Sequence, residues 1–348
     1  MRLADYTTIR LGGPARDFAS ASTEEDLIEA VSAADARGEP VLILGGGSNL
    51  VVADEGFDGT VIQVATSGVT MDGAAGAVTV AAGEDWDAVV AQTVAEGLAG
   101  LECLSGIPGL AGATPIQNVG AYGAEVCETI TRVRAYDRDT RQIRAFGNAE
   151  CGFGYRTSRF KRDDARRLVV LSVTFRLAAR AVSAPVRYAE LAAALGIAVG
   201  ERVPAGEARE AVIGLRRRKG MVIDPADPDT RSVGSFFVNP VLDAAALAAV
   251  ETAARAGCGA ATEVPRFDAG DGLVKVPAAW LIERAGFGKG YSRGDGARIS
   301  SKHTLALVSS GSATAAGLMA LAREIRDGVR DAFGVSLTPE PVLVGVTL

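Results

Sequence analysis

The sequence predicts an α+β fold, in which strands and helices are mixed without regular strand–helix–strand alternation. In the first half, residues 132–136 and 142–146 have strand patterns on either side of Asp137-Arg138-Asp139-Thr140, which predicts a hairpin. Residues 168–177 have the strongest β-branched content of the chain and predict another strand. From about Ala205 the patterns become mainly helical, and residues 313–333 form a long amphipathic stretch.

Caps and glycines place the elements of the first half. Ser22, with Glu25 three residues later, is a capping box, and Gly38 stands where a helix-ending glycine belongs. The predicted elements are a strand-like start at 7–14, a helix from Ser22, strands at 41–44, 50–53, 60–64 and 78–82, and a helix at 85–96.

The second half is predicted from similar signals. A helix covers residues 207–218, and residues 224–230, with two prolines, form a linker or the edge of a lid. Asp243 caps a helix that runs to residue 256, and Pro277 occupies the first position of a helix that ends at residue 285. Residues 341–346 form a final strand.

Composition excludes several classes of protein. Apolar residues make up 48% of the chain and charged residues 22%, which is usual for a soluble globular protein. The net charge of −6 argues against nucleic-acid binding, and no apolar run is long enough to insert into a membrane. The four scattered cysteines and the absence of a leader predict a reducing, cytoplasmic location. The single histidine, His303, is too little for a histidine-based metal site, so no metal is expected.

Residues 45–49, Gly-Gly-Gly-Ser-Asn, directly follow the predicted strand at 41–44. Successive small residues expose backbone N–H groups and can form a nest for a phosphate. The segment is not a Walker loop, because no Gly-Lys-Ser/Thr follows, and Leu50 replaces the third glycine of a Rossmann fingerprint. A plain tight turn between strands is the alternative.

Residues 107–125 are too rich in Gly and Pro for a regular helix or a central strand, and too apolar for disorder. Their glycines allow backbone N–H groups to approach a ligand, while Thr114, Gln117, Asn118 and Tyr122 add donors and acceptors. The segment therefore either wraps a large phosphate-bearing cofactor or is a buried irregular crossover in which the glycines serve packing.

Three further residues stand in unusual surroundings. Arg156, among glycines and aromatics, can stabilise a developing anion or be a surface arginine beside a buried tyrosine. Ser235 lies between a glycine and two phenylalanines without a hydrolase elbow, which leaves a proton donor or a simple turn. Glu340 lies between Pro339 and Pro341, which either aim its carboxylate or place it in a solvated loop.

Together these segments resemble one family, the UDP-N-acetylenolpyruvoylglucosamine reductases, flavoenzymes of peptidoglycan precursor synthesis. The order and spacing of the matching segments carry the resemblance over nearly the whole chain: 41–49, 83–86, 106–125, 152–160, 234–240, 275–282 and 339–342. It implies an NADPH- and FAD-dependent oxidoreductase that reduces the enolpyruvyl group of UDP-N-acetylglucosamine enolpyruvate to UDP-N-acetylmuramate. In that family, hydride from the flavin reaches the terminal vinyl carbon, and a serine protonates the resulting carbanion.

The resemblance assigns roles residue by residue. Ser235 matches the proton donor, while Arg156 and Glu340 match the pair that stabilises the enol intermediate, with Glu340 expected to carry a proton. Implied cofactor contacts are Gly45, Gly46, Gly47, Ser48, Asn49, Gly106, Pro108, Gly109, Gly112, Thr114, Pro115, Gln117, Asn118, Gly120, Ala121, Tyr122 and Gly123. Implied substrate contacts are Tyr155, Tyr188, Arg216, Lys219 and Asn239.

Tyr188 matches the tyrosine that folds over the substrate diphosphate in the family type with an extra loop. The family usually has a lysine just before the asparagine that corresponds to Asn239, whereas Val238 stands there in this chain. This departure puts one supporting contact to the substrate in doubt.

The resemblance also implies the domain organisation. A vanillyl-alcohol-oxidase-type FAD-binding domain has subdomains at residues 1–65 and 66–205, and an α+β substrate-binding domain follows at 206–336. The strand at 337–348 returns near the site. FAD is expected to be non-covalent, because the only histidine lies far along the chain, and the protein is expected to be a monomer. An oxidase of the same flavin fold and a non-enzymatic ligand-binding protein are the alternatives.

Overall fold

The computed structural model describes residues 1–348, which divide into two units. Unit 1 comprises Met1, Ala15–Gly47 and Asp58–Val222, and unit 2 comprises Arg2–Pro14, Ser48–Phe57 and Ile223–Leu348. The three-part division at residues 65, 205 and 336 stays a prediction. No helix combines the length and the apolar composition that crossing a bilayer requires.

Helices and strands share the chain, which confirms the α+β class. The helices are α1 (Glu24–Ala36), α2 (Trp86–Ala95), α3 (Ala189–Leu195), α4 (Ala205–Arg218), α5 (Ala244–Cys258), α6 (Ala278–Arg284) and α7 (Ala315–Phe333). The strands are β1 (Ala15–Ala21), β2 (Val41–Leu44), β3 (Leu50–Val52), β4 (Phe57–Val64), β5 (Val69–Asp72), β6 (Ala77–Ala81), β7 (Leu98–Ala99), β8 (Gly120–Ala121), β9 (Ala124–Glu125), β10 (Ile130–Asp137), β11 (Gln142–Gly147), β12 (Leu168–Arg176), β13 (Ala178–Ala179), β14 (Ser232–Ser235), β15 (Val241–Leu242), β16 (Phe267–Gly270), β17 (Leu273–Lys275), β18 (Ala297–Ile299), β19 (Ala306–Ser309) and β20 (Val342–Val344).

Unit 1 contains two main sheets. The smaller has the order β1-β4-β2, with β2 and β4 parallel, and the larger is antiparallel with the order β11-β10-β12-β6-β5. Helix α2 packs on the larger sheet through Trp86, whose ring centroid lies 5.7 Å from that of Phe175. Both side chains are fully buried, so this contact anchors the start of α2 to the sheet.

Unit 2 is built around α7. Its stripe of Leu318, Leu321, Ile325 and Val329 is fully buried, as the amphipathic pattern predicts. Small sheets of order β14-β19-β18 and β15-β17-β16, together with the parallel pair β20-β3, complete the unit. The carboxylate of Asp54 accepts hydrogen bonds from the first two N–H groups of α7, at 2.8 and 2.9 Å, and so ties the segment that carries β3 to the helix.

Most predicted elements are confirmed. The hairpin forms with the expected register, from Arg132 opposite Gly147 to Asp137 opposite Gln142. Strand β2 has the predicted bounds, and α2 begins after its cap Asp85. Asp243 caps α5 through the N–H of Ala246, at 2.8 Å.

Four expectations were wrong in detail. Residues 7–14 form a short turn followed by irregular chain rather than a strand, because Arg10 is left-handed (φ +60) and its N–H donates to the carbonyl of Thr7. The cap of α1 is Thr23 with Asp26, one residue beyond Ser22 and Glu25. Pro277 is the N-cap of α6 rather than its first residue. The linker alternative for residues 224–230 is wrong, since Asp229 and Thr230 are buried in unit 2, while the lid-edge alternative stays a prediction.

Candidate functional site

Two predicted cofactor segments of unit 1 come together at Gly46 and Gly109. A Cβ on Gly46 would lie 2.9 Å from the Cα of Gly109, closer than real Cβ atoms approach. Gly47 (φ +60) and Gly109 (φ +119) also have left-handed backbones, which glycine adopts at little cost. Only glycine at position 46 therefore permits this approach, and the main chains of the two segments come close together here.

The segment after Gly106 follows a fixed course along residues 82–87. The N–H groups of Ala111 and Gly112 donate to the carbonyls of Glu84 and Ala82, both at 2.9 Å. A Cβ on Gly112 would lie 2.5 Å from the Cβ of Ala82. Packing thus explains Gly112, and the left-handed backbone of Gly109 favours glycine there. The cofactor interpretation of this segment stays a prediction.

The side chain of Asn118 holds the same segment in place through hydrogen bonds. Its amide nitrogen donates to Oε2 of Glu125 at 2.7 Å and to the carbonyl of Gly154 at 3.1 Å, and its Oδ1 accepts from the N–H of Cys127 at 3.2 Å. The side chain is buried and its backbone is left-handed (φ +49). A cofactor contact at position 118 would therefore have to come from the main chain.

Arg156 contacts the predicted cofactor segment directly. Its Nη2 donates to the carbonyl of Gly120 at 2.6 Å, and its guanidinium carbon lies 5.4 Å from the centroid of the Tyr155 ring. The backbone of Arg156 is left-handed (φ +53), a strained conformation for a residue with a Cβ. The guanidinium is therefore half-buried and held by a main-chain carbonyl, which is compatible with a role in binding an anion.

The remaining predicted cofactor residues lie along the same segment. Thr114 and Pro115 are buried, and the Thr114 hydroxyl donates to the carbonyl of Ala111 at 2.7 Å. Pro108, Gln117 and Ala121 are half-buried, and Gly123 is exposed.

A cluster of aromatic and charged side chains lies beside Tyr122. Its ring stacks edge-on against that of Tyr188, with centroids 5.5 Å apart, and the ammonium of Lys219 lies 5.7 Å from the Tyr122 centroid. Lys219 also pairs with Glu190 at 2.6 Å. Burial raises the pKa of Tyr122 to about 12, so its phenol keeps its proton at neutral pH and can donate to a phosphate.

Arg216 adds a second cation to this part of unit 1. Its Nη2 donates to the carbonyl of Met221 at 2.8 Å, whereas its buried Nε has no hydrogen-bond partner. Burial lowers the pKa of Arg216 to about 10, which leaves it charged at neutral pH. A buried cation of this kind is stabilised when an anion binds beside it.

In unit 2, Ser235 closes β14 beside two anchored aromatics. Phe236 and Phe237 are fully buried, with ring centroids 5.0 Å apart, and the N–H of Phe236 donates to the carbonyl of Leu305 at 2.7 Å. Gly234 is left-handed (φ +76) and stands in a break of the β14–β19 register. The half-buried Ser235 thus lies between this register break and the buried aromatic pair.

Glu340 is held to the chain that follows Ser235. Its N–H donates to the carbonyl of Phe236 at 2.8 Å, and Pro339 bridges to Phe237. The half-buried Glu340 therefore follows the same segment as Ser235, although the two residues are far apart in the sequence.

Two other predicted residues of unit 2 have structural partners. Oδ1 of Asn239 accepts the N–H of Ala278 at 2.9 Å, so Asn239 holds the start of α6. Asn49 lies beside Glu340, where its Nδ2 is 3.5 Å from the Glu340 carbonyl oxygen. Sequence reasoning assigned Ser48 and Asn49 to the cofactor site and did not foresee the contact between Asn49 and Glu340.

Sequence reasoning missed Asp87, which links two parts of unit 1. Its Oδ1 accepts from the N–H of Gly106 and from Nη1 of Arg209, both at 2.6 Å, and its Oδ2 accepts from Nη2 of Arg209 at 2.9 Å. Burial opposes ionisation of Asp87, but these donors prevail and lower its pKa. The only signal was an acid near a helix start, which the helix dipole alone explains.

Comparisons with known proteins agree with these observations. Residues 16–145 match the model of an FAD binding domain, and residues 225–344 match that of the UDP-N-acetylenolpyruvoylglucosamine reductase C-terminal domain. A reductase of that name from Nocardia farcinica is 59% identical over 100% of this chain and 90% of its own, and one from Streptomyces avermitilis is 57% identical over 99% and 94%.

A solved structure supports the same relationship. The crystal structure of UDP-N-acetylenolpyruvylglucosamine reductase from Thermus caldophilus matches with a TM-score of 0.66 and 27% identity, covering 99% of this chain and 97% of the other. The predicted vanillyl-alcohol-oxidase-type fold with its FAD-binding domain is thereby confirmed. The chain belongs to the UDP-N-acetylenolpyruvoylglucosamine reductase family and is an FAD-dependent oxidoreductase of that family.

Proposed function

We propose that this protein uses NADPH to reduce the enolpyruvyl group of UDP-N-acetylglucosamine enolpyruvate, giving UDP-N-acetylmuramate. The observation that supports it most strongly is the hydrogen bond from the Glu340 N–H to the Phe236 carbonyl, which holds a carboxyl group to the segment that presents Ser235. A serine and a carboxylic acid on two segments that are hydrogen-bonded to each other suit a reaction that must protonate one carbon and stabilise charge beside it.

Ser235 is the proposed proton donor. Reduction adds a hydride to the terminal vinyl carbon and leaves a carbanion next to the substrate carboxylate. A serine hydroxyl is a very weak acid and protonates only a strong base, which a carbanion is. The register break and the buried phenylalanines beside Ser235 would hold its hydroxyl in one direction while this happens.

Arg156 and Glu340 are proposed to stabilise the enol form of this intermediate. Arg156 is already oriented by the Gly120 carbonyl and by its own left-handed backbone, so little ordering is needed when an anion binds. Glu340 is proposed to act in its protonated form, because a second negative charge beside the intermediate would oppose its formation.

The diphosphate of the substrate is proposed to bind at Tyr122, Tyr188, Arg216 and Lys219. This cluster offers two phenol donors and two cations, and an anion would satisfy the charge of the buried Arg216. Tyr188, which precedes α3 and is partly exposed, would cover the diphosphate as in the family type with the extra loop. Asn239 is proposed to bind the substrate through its amide nitrogen, and Tyr155 is proposed as a further substrate contact.

FAD is proposed to bind without a covalent link along Gly45–Asn49 and the segment from Gly106 to Gly123. The fit rests on the approach of Gly46 to Gly109, where two glycine-rich main chains that can donate N–H groups to a phosphate come together. Bound FAD supplies the hydride that it receives from NADPH.

The activity is tested by following NADPH oxidation at 340 nm (an assay wavelength) with and without UDP-N-acetylglucosamine enolpyruvate, and by identifying the product by mass spectrometry. The proposal predicts oxidation that depends on the substrate, and a product that has gained one hydride and one proton. Rapid NADPH oxidation that needs oxygen and not the substrate would instead support an oxidase.

A cytoplasmic location and a monomeric state are proposed as well. All four cysteines are free thiols, which fits a reducing compartment. Burial raises the pKa of Cys103 and of Cys151 to about 12, so neither thiol is ionised or reactive at neutral pH. The monomer is tested by the mass of the purified protein in solution.

A further inference from the structure

The chain around Glu340 is held from two sides within unit 2. On one side, the Glu340 N–H donates to the Phe236 carbonyl at 2.8 Å, and the Val238 N–H donates to the Thr338 carbonyl at 3.1 Å. The chain bends at Pro341 and then pairs with β3 as β20. Glu340 therefore lies where the segment stops bonding to Phe236 and Val238 and begins to pair with β3.

Asn49 provides the hold on the other side. Its main-chain carbonyl accepts the N–H of Val342 at 2.9 Å, and its Nδ2 lies 3.5 Å from the carbonyl oxygen of Glu340. These two contacts bracket the bend at Pro341. Pro341 has no N–H of its own, so it cannot help to hold the chain there.

The hydrogen-bond pattern of the β3–β20 pair explains why the side chain of Asn49 contacts Glu340. Val342 pairs with Leu50 and Val344 with Val52, and the bonds of a parallel pair recur at every second residue. If this pattern continued by one more bond before Val342, the main-chain N–H of residue 49 would donate to the carbonyl of Glu340. In the structure the side-chain amide of Asn49 donates to this carbonyl instead, so the contacts between the two segments continue past the bend to Glu340.

Asn49 directly precedes β3, and this strand and the turn after it are closely packed. Leu50, Val51 and Val52 are buried, and Asp54 binds the N-terminus of α7. A Cβ on Gly56 would lie only 1.8 Å from the carbonyl oxygen of Pro14, so the turn after β3 is closely packed as well. Because its own main chain is fixed in this way, Asn49 can hold the Glu340 segment in one place through its side chain.

We propose that Asn49 is a positioning residue for Glu340, an inference that rests on the proposed function. Its side-chain amide holds the Glu340 carbonyl and so directs the carboxyl group, while Phe236 holds the N–H of the same residue. This role belongs to the side chain of Asn49, whereas the cofactor contact proposed for position 49 is assigned to its main chain. The two roles predict different effects when the side chain is removed.

The test combines Asn49→Ala with Glu340→Gln in the complete flavoprotein. Each protein is reduced with NADPH without oxygen and mixed with saturating substrate, and the rate of flavin reoxidation is measured in one turnover. Asn49→Ala is expected to slow reoxidation by about 10- to 100-fold when Glu340 is present. In the Glu340→Gln background it is expected to slow reoxidation by less than about threefold, because the group that it positions is already gone.

Asn148→Ala is the matched control. Asn148 also holds two main-chain carbonyls, those of Cys127 and Ile130 at 2.8 Å, but it lies in unit 1 outside the proposed site. Any effect of Asn148→Ala should have the same size in both backgrounds. Should Asn49→Ala fail to fold, Asn49→Ser, which keeps a shorter donor, enters the same comparison and is expected to show the same dependence on Glu340.

Two results would overturn the positioning role. One is an equal slowing by Asn49→Ala in both backgrounds. The other is a loss of FAD from Asn49→Ala with normal reoxidation after FAD is added back, which would make the side chain a cofactor contact. The wild-type protein reports separately on the proposed function: if substrate does not reoxidise its flavin, the proposed activity itself is wrong, and the positioning role falls with it.

Discussion

The main-chain N–H of Glu340 donates a hydrogen bond to the carbonyl oxygen of Phe236, with 2.8 Å between the two atoms. Through this bond, a residue near the end of the chain is fixed to the segment that directly follows Ser235. Neither residue can shift far without moving the other. The proposed division of work, with Ser235 as acid and Glu340 as stabiliser, depends on this arrangement.

Substitution Ser235→Ala should separate the two halves of the reaction. Flavin reduction by NADPH needs no proton donor to carbon and should persist, whereas reoxidation by substrate should fall by about 10²- to 10⁴-fold. Stopped-flow absorbance of the flavin measures both steps. An equal fall in both would mean that Ser235 serves binding or folding instead.

Substitution Tyr188→Phe should raise the KM for the UDP-sugar by about tenfold with little change in kcat, because a hydrogen bond to a charged phosphate is lost. Burial raises the pKa of Tyr188, so the native phenol can donate throughout the neutral range. Tyr291→Phe removes a comparable hydroxyl, which bonds Glu324 at 2.6 Å in unit 2, and serves as the control. An unchanged KM in Tyr188→Phe would remove this residue from the diphosphate site.

Substitution Gly112→Ala should weaken FAD binding and lower the free energy of unfolding by about 1–3 kcal/mol. The added Cβ would lie 2.5 Å from that of Ala82, so the segment beyond Gly106 must shift. Gly73→Ala, at a glycine with no atom within 4 Å of the added Cβ, is the control. Equal FAD affinity and melting temperature in the two variants would show that the close contact does not constrain the cofactor segment.

Substitution Asp137→Asn should lower the free energy of unfolding by about 2–3 kcal/mol at pH 7. The buried carboxylate accepts from Arg167 at 2.5 and 2.8 Å and from Arg144 at 3.2 Å. Asp139→Asn, in the same turn but exposed, should change stability by less than about 0.5 kcal/mol. Similar losses in the two variants would contradict a special role for the buried pair.

The same residue predicts a pH dependence. The bonds from Arg167 hold the pKa of Asp137 well below its usual range. The stability that it contributes is therefore fully present above the pKa of the unfolded chain, near 4, and is lost as the pH falls toward the folded-state value. Melting curves of the wild type and Asp137→Asn should converge on acidification, and a constant difference down to about pH 2 would oppose this account.

The sequence predicted elements whose signals are local. The hairpin β10–β11 follows from its turn and alternation, and α5 from its cap Asp243. Strands such as Phe267–Gly270 were missed because all their side chains are exposed, so no apolar face marks them. The one-residue error at the start of α1 reflects two adjacent hydroxyl residues, Ser22 and Thr23, that both satisfy the same capping rule.

Parts of the candidate site were beyond local reasoning. Asp87 and Arg209 are 122 residues apart, and Asn49 and Glu340 are 291 apart, so their contacts arise only from tertiary packing. Arg156, Ser235 and Glu340 were predicted because their neighbours form recognisable motifs. The partners that hold Ser235 and Glu340 in place are largely main-chain carbonyls, which carry no signature in the sequence.

The most direct test of the central claim is the fate of the reduced flavin. The purified protein is reduced without oxygen by just enough NADPH, UDP-N-acetylglucosamine enolpyruvate is added, and the flavin absorbance is followed. The account predicts a fast return of the yellow band with this substrate and no return without it. Reduction without return, followed by recovery when air is admitted, would contradict the account and favour an oxidase.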